Sequence, residues 1–251
     1  MGARATYGEA MSESYESNEA VWKQDAPVAE WVAASQDRER SRVWPRRFVA
    51  ELLPFARNER FTVVDLGAGT GAGSKAVLDA YPAAAAVLTE YSPQMMAEGR
   101  RALRSYEGRY RYVEFDLAAG RWPDELSEDV DAVVTSLCVH HLPDDRKEGL
   151  FAEILERLAP GAWFVNYDEV SADSPAVEDA WQRLETARDP AAADRRRHKS
   201  PEEQARWETH VRHLLPLEPQ LRMLREAGFD AVDVYWRELR QVVYAGRRAP
   251  R

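Results

Sequence analysis

The segment Val63-Val-Asp-Leu-Gly67-Ala-Gly69-Thr-Gly71-Ala-Gly73 sets a β-branched run against a turn in which every second residue is glycine, with a helix pattern behind it. Only glycine enters left-handed backbone angles without steric cost, so this spacing dictates a sharp strand-to-helix turn. A strand that feeds a helix this way belongs in a parallel sheet, whose neighbours need long crossovers. The chain supplies them. After Phe61–Leu66 come the strand-like runs Ala84–Glu90, Tyr110–Phe115, Asp131–Leu137 and Gly161–Tyr167, with helices expected between. The spacing predicts a helix over about 72–81. A second begins at Pro93, with Ser92 as its cap and Met95, Met96 and Leu103 on the buried side. Ahead of the first strand, Val43, Phe48, Val49, Leu52 and Leu53 recur at helical spacing between Ser41 and Phe55, which places Pro45 near a first turn.

Residues 173–215 break the alternation with a helical composition and no strand signal, so they read as an inserted cover. Leu217–Ala227 then forms a last helix stopped by Gly228, and Ala231–Trp236 and Gln241–Ala245 are close enough to require an antiparallel pair. No internal repeat or low-complexity linker appears, which favours one domain across 1–251. Its parts are a lid at 1–45, a core at 46–172, the cover at 173–215 and the last helix with its hairpin at 216–251.

Charge and length narrow the function. With 34 Lys+Arg against 43 Asp+Glu in 251 residues the net charge is −9, a field that repels phosphate backbones and anionic headgroups, so nucleic acid is a poor partner. The single cysteine, Cys138, excludes an internal disulfide, and no run reaches the roughly 18 apolar residues of a spanning helix, so a cytoplasmic protein without membrane partners is expected. Met1–Thr6 fits the short myristoylation pattern but is read as an ordinary polar terminus.

Two ligands suit the glycine turn. Gly67, Gly69 and Ala72 satisfy the dinucleotide fingerprint, with Glu90 near the distance at which an acid holds ribose hydroxyls. Asp65 tips the balance, because a carboxylate beside the turn is a poor neighbour for pyrophosphate and a good one for an amino group. The segment resembles motif I of the class I S-adenosylmethionine-dependent methyltransferases. Thr89–Met95 is similar to that family's second motif, Phe115-Asp116-Leu117 to its third, and Asp131–Leu142 with Leu158–Gly161 to its fourth strand and Pro-Gly turn. Ala227-Gly228-Phe229 and the hairpin fit its closing end.

The resemblance implies an α/β fold: a Rossmann-like doubly wound seven-stranded sheet with an antiparallel last strand, an N-terminal helical lid and a helical insertion after strand five. It implies S-adenosylmethionine as cofactor, held by Asp65, Gly67, Gly69, Gly71, Glu90, Asp116, Leu117 and Leu137, with Tyr91 and Met95 packing on adenine. The expected reaction is methyl transfer to an O, N or C nucleophile of a small molecule. Rival readings are a tRNA or protein methyltransferase, a nicotinamide oxidoreductase and a non-catalytic binding module.

Such a transfer needs alignment of a nucleophile and, if the nucleophile is protonated, a base. His140 and His141, at the carboxyl end of the fourth strand, are candidates for that base, and Asp168 could accept a proton or hold an amine. The competing roles are packing for the histidines and helix capping for Asp168. Tyr167 and Glu169 are expected to face the same crevice. His210 and His213 have a spacing that can share a metal, but no third ligand lies nearby in sequence, so they read as a solvated face and no metal site is expected. Arg195–Lys199 reads as an exposed basic helix, while Trp181 and Trp207 either anchor the cover or line the acceptor pocket.

Overall fold

The computed structural model describes residues 36–119, 122–126, 129–191, 194 and 198–250. Most of the expected lid, and residues 195–197 of the basic cluster, lie outside the described residues. Seven strands, β1 (Thr62–Leu66), β2 (Ala85–Glu90), β3 (Tyr110–Glu114), β4 (Val130–Ser136), β5 (Leu158–Glu169), β6 (Asp230–Glu238) and β7 (Gln241–Arg247), form one sheet in the order β3-β2-β1-β4-β5-β7-β6. The first five are mutually parallel, and β7 inserts antiparallel between β5 and β6. Strand order reverses between β1 and β4, and ligands of open parallel sheets collect beyond the carboxyl ends at such a reversal.

Helices among the described residues include α1 (Gln36–Glu51), α2 (Ala72–Ala80), α3 (Pro93–Ala102), α4 (Asp144–Arg157), α5 (Pro175–Arg188), α6 (Pro201–Val211) and α7 (Leu217–Ala227). Side chains alternate across the sheet into two cores. Val64, Leu66, Val133, Phe164 and Tyr244 join the layer of α4 and α7, while Val63, Val134, Val165, Tyr167 and Val243 join that of α1 and α2. Burial on both faces explains why β1 and β2 read as unbroken apolar runs rather than alternating ones.

Local chemistry sets the ends. Ser92 accepts from the Met95 amide with Pro93 behind it, and Gly228 closes α7 at φ 108°. Two elements depart from expectation. Helix α1 starts at Gln36 and stops before Leu52, which puts Pro45 in its interior. The lost intrahelical hydrogen bond is offset by tertiary packing, since Val49, Ala50 and Leu53 are buried on the sheet. Strand β5 begins at Leu158 rather than Gly161, because a register shift opposite Val130–Ala132 absorbs the Pro-Gly pair into the sheet.

Among the described residues no helix is long and apolar enough to cross a membrane. The cover is fastened by Arg240 of the β6–β7 turn, which bonds Glu178 (2.9 Å through Nη1) and Glu185 (3.0 Å) on α5. Trp181 is buried against this layer, with Arg237 and Arg240 over its ring. It anchors the cover. Trp207 is more exposed, with Lys199 3.9 Å above its ring, and lies outside the central cavity.

Candidate active site

The β1 turn is shaped from beneath. Gly67, Gly69 and Gly71 adopt φ of 62°, 54° and 79°. A Cβ on Gly67 would sit 2.0 Å from Cys138 Sγ, so the turn passes directly over the end of β4. Gly71 faces the other way, where a Cβ would meet Leu103 at 2.6 Å, and it does not line the cavity. It packs behind the loop rather than lining the cavity that was expected to hold the cofactor.

Three carboxylates surround this turn. Asp65 Oδ2 accepts from the Ser74 amide (2.8 Å) and hydroxyl (2.7 Å), while its buried Oδ1 has no protein partner. Burial pushes the Asp65 carboxyl up to about 6, against the pull of the Ser74 hydrogen bonds and of Arg46. Glu90, at the end of β2, accepts from the amides of Gly69 (2.9 Å), Tyr91 (3.0 Å) and Ser92 (2.9 Å). Burial raises it above the usual carboxylate range despite those donors. Asp116 follows β3, where its Oδ1 takes the Ala118 amide at 3.0 Å.

These groups open onto a cavity of about 270 Å³ at the reversal point. Asp65, Gly67, Gly69, Glu90, Tyr91, Met95, Asp116, Leu117, Leu137, His140 and His141 all line it. Tyr167 and Asp168 do not. Tyr167 is buried in the core of the α1 layer with its hydroxyl on Gln241, and Asp168 is fully buried behind His140. Their expected exposure to the crevice is thus corrected, and of the three residues ending β5 only Glu169 reaches the cavity. Alternation along the strand separates Asp168 from its neighbours on either side.

The far end of the cavity carries imidazoles. His140 is 3% exposed; its amide donates to Asp168 Oδ2 (3.0 Å), its Nδ1 pairs closely with Asp168 Oδ1, and its Nε2 has no protein partner. Burial by itself would lower the His140 imidazole, but the Asp168 charge and hydrogen bond outweigh it and raise it. Asp168 also touches Asn166 Nδ2 (3.4 Å) and its own following amide (3.0 Å), so it is fixed on several sides. His141 is held well below the usual imidazole range by burial and by the neighbouring histidines.

His210, from α6, completes this wall. Its ring centroid lies 4.9 Å from that of His140 and 5.5 Å from that of His141, and its Nε2 is 3.2 Å from Glu169 Oε2. Burial opposes ionisation of Glu169, but the His210 hydrogen bond, His140 and Arg42 draw its carboxyl down to about 2. His210 is therefore no part of a solvated face, whereas His213 lies outside the cavity and offers its carbonyl to the buried Lys147. Arg42 and Arg46, one turn apart on α1, also line the cavity, with Arg46 Nε 3.1 Å from Ser136 Oγ. Sequence patterning gives no sign of which polar face of a helix meets a cavity; the four-residue spacing of the two arginines was the only available signal.

Residues 63–161 match the family model described as a methyltransferase domain. A curated relative, trans-aconitate 2-methyltransferase of Azoarcus sp. (strain BH72), is 32% identical over 115 residues, 44% of this chain and 42% of the relative. The chain thus spans about two fifths of that relative's length. An O-methyltransferase family protein from Burkholderia thailandensis superposes with TM-score 0.66 at 19% identity, covering 97% of this chain and 67% of the other. Human N-acetylserotonin methyltransferase, solved with S-adenosylmethionine, gives 0.63 at 16% identity over 98% and 63%. Residues 63–161 therefore match a methyltransferase domain, and the chain as a whole, with its seven-stranded order and antiparallel β7, shares the fold of these solved methyltransferases.

Proposed function

We propose that the protein binds S-adenosylmethionine and transfers its methyl group to a small molecule. The observation that carries this reading is the buried, unpartnered Oδ1 of Asp65, a residue that lines the same cavity as Glu90 and Asp116. An unsatisfied buried carboxylate oxygen is costly unless a donor arrives, and an α-amino group is such a donor. Gly67 and Gly69 leave the backbone bare where the ligand approaches, and Glu90 is held rigidly enough by three amides to receive ribose hydroxyls. Asp116 and Leu117 would read the adenine, with Tyr91 and Met95 against its faces, since all four line the same cavity. A cavity edge bearing three carboxylates disfavours the pyrophosphate of a nicotinamide dinucleotide.

When bound, the sulfonium supplies a methyl group ready for in-line displacement, and the protein has only to align the nucleophile, exclude water and take a proton. Asp168, out of reach of substrate, acts as a positioning residue: it fixes the His140 tautomer with Nδ1 protonated and turns Nε2 toward the cavity. His140 Nε2 then receives the proton of an O–H or N–H acceptor, with His141 beside it. Arg42 and Arg46 suit an acceptor that carries a carboxylate, in keeping with a relative named trans-aconitate 2-methyltransferase.

Calorimetry tests the cofactor. S-adenosylmethionine and its demethylated product should each bind at one equivalent, and Glu90→Ala should abolish binding while the protein stays folded. Absence of binding by the wild type would overturn the reading. Labelled-methyl transfer to a panel of carboxylic acids and to their amide analogues then tests the acceptor, and an equal yield from both panels rejects the arginine assignment.

A further inference from the structure

We propose that His140, His141 and His210 together bind one soft divalent cation of the zinc class. One ring nitrogen from each histidine falls within 4.8 Å of the other two, with two of the three in the turn after β4 and one on the cover helix α6. Tetrahedral zinc at about 2.0–2.1 Å from each nitrogen places its ligands about 3.3 Å apart, a contraction that small side-chain rotations provide. Two features beyond proximity mark a built site. The His140 Nε2 atom is buried, lacks a protein partner and belongs to a residue that lines the cavity. Behind two of the three rings stands a carboxylate, Asp168 on His140 Nδ1 and Glu169 on His210 Nε2, the arrangement that orients metal-bound imidazoles and raises their basicity.

The ligand type selects the ion. Three imidazoles suit zinc, cobalt, nickel or copper, whereas magnesium and calcium demand oxygen donors. An open cavity in front of the cluster leaves room for a fourth, exogenous ligand. The consequence for activity rests on the methyltransferase reading: the cation takes the lone pair on His140 Nε2 that would accept the acceptor's proton, so loading silences transfer. It also bridges α6 to the sheet, since one ligand belongs to the cover and two to the core.

Cobalt(II) titrated into the full-length protein, followed by visible absorption, reads the site directly. The expected result is one equivalent with the intense bands of a four- or five-coordinate ion, displaced by zinc and not by magnesium. His210→Ala should weaken binding at least 100-fold and Asp168→Asn about 10–100-fold, with His213→Ala unchanged. Because His210 sits half-buried on a surface helix, its variant carries the test even if one at His140 fails to fold. No stoichiometric cobalt in the wild type, or wild-type affinity in His210→Ala, overturns the proposal. Calorimetry with the demethylated cofactor on the same samples keeps the two readings apart: nucleoside binding without cobalt rejects the metal site alone, and cobalt without nucleoside rejects the methyltransferase alone.

Discussion

Asp65 concentrates the chemistry of the site in one side chain. Its folded pKa of about 6 lies above the ordinary 3.8, so the folded state holds this proton more tightly than the unfolded chain does. Its contribution to stability is therefore complete below pH 4 and lost as pH rises through 6. Relative to Asp65→Asn, the unliganded wild type is expected to lose roughly 2–3 kcal/mol between pH 4 and pH 7, read from urea unfolding at each pH. An amine-bearing ligand needs the ionised form, so affinity for the demethylated cofactor should drop about fivefold from pH 6 to pH 5; a flat profile would remove Asp65 from the ligand's contacts. Gly67 offers a steric counterpart. Gly67→Ala suffers both the positive φ and the 2.0 Å approach to Cys138 Sγ and should cost about 2–4 kcal/mol, of which Cys138→Ala restores only the Sγ part, because the Cβ of residue 138 still lies 2.9 Å away. Gly69→Ala, with open space at its Cβ, should cost about 1 kcal/mol.

At the scale of elements, the turn after β2 links capping to binding. Ser92 caps α3 through the Met95 amide while its own amide holds Glu90. Ser92→Ala is expected to cost about 1 kcal/mol in thermal unfolding and to weaken nucleoside binding only slightly, because the backbone donor survives. Arg240 does comparable work for the cover, gripping two glutamates of α5 from a partly buried position. Arg240→Ala should expose α5 to limited proteolysis without changing cofactor affinity. These caps, glycines and strands were legible in the chain because each follows from a few adjacent residues. Pro45 was not, since its tolerance inside α1 depends on Val49 and Leu53 packing onto a distant sheet.

Across the whole molecule the cavity is a joint product: α1 contributes Arg42 and Arg46, α6 contributes His210, and the strand ends with the turns and helix starts that follow them contribute the rest. Bound cofactor product should therefore slow amide exchange in α1 and α6 as well as in the glycine turn, measured by mass spectrometry. Protection confined to the turn would mean that the two helices do not close over the ligand.

The sequence alone determined the strand order's raw material, the glycine turn and the acids at 65, 90 and 116, because motif, periodicity and cap are short-range patterns in which neighbours decide the outcome. Tertiary structure decided which polar groups meet. It turned Gly71 and Tyr167 into the core, set Asp168 behind His140 and brought His210 from some seventy residues away to the same wall. Such pairings depend on which face of a strand or helix fronts a cavity, and that choice is made only when layers pack.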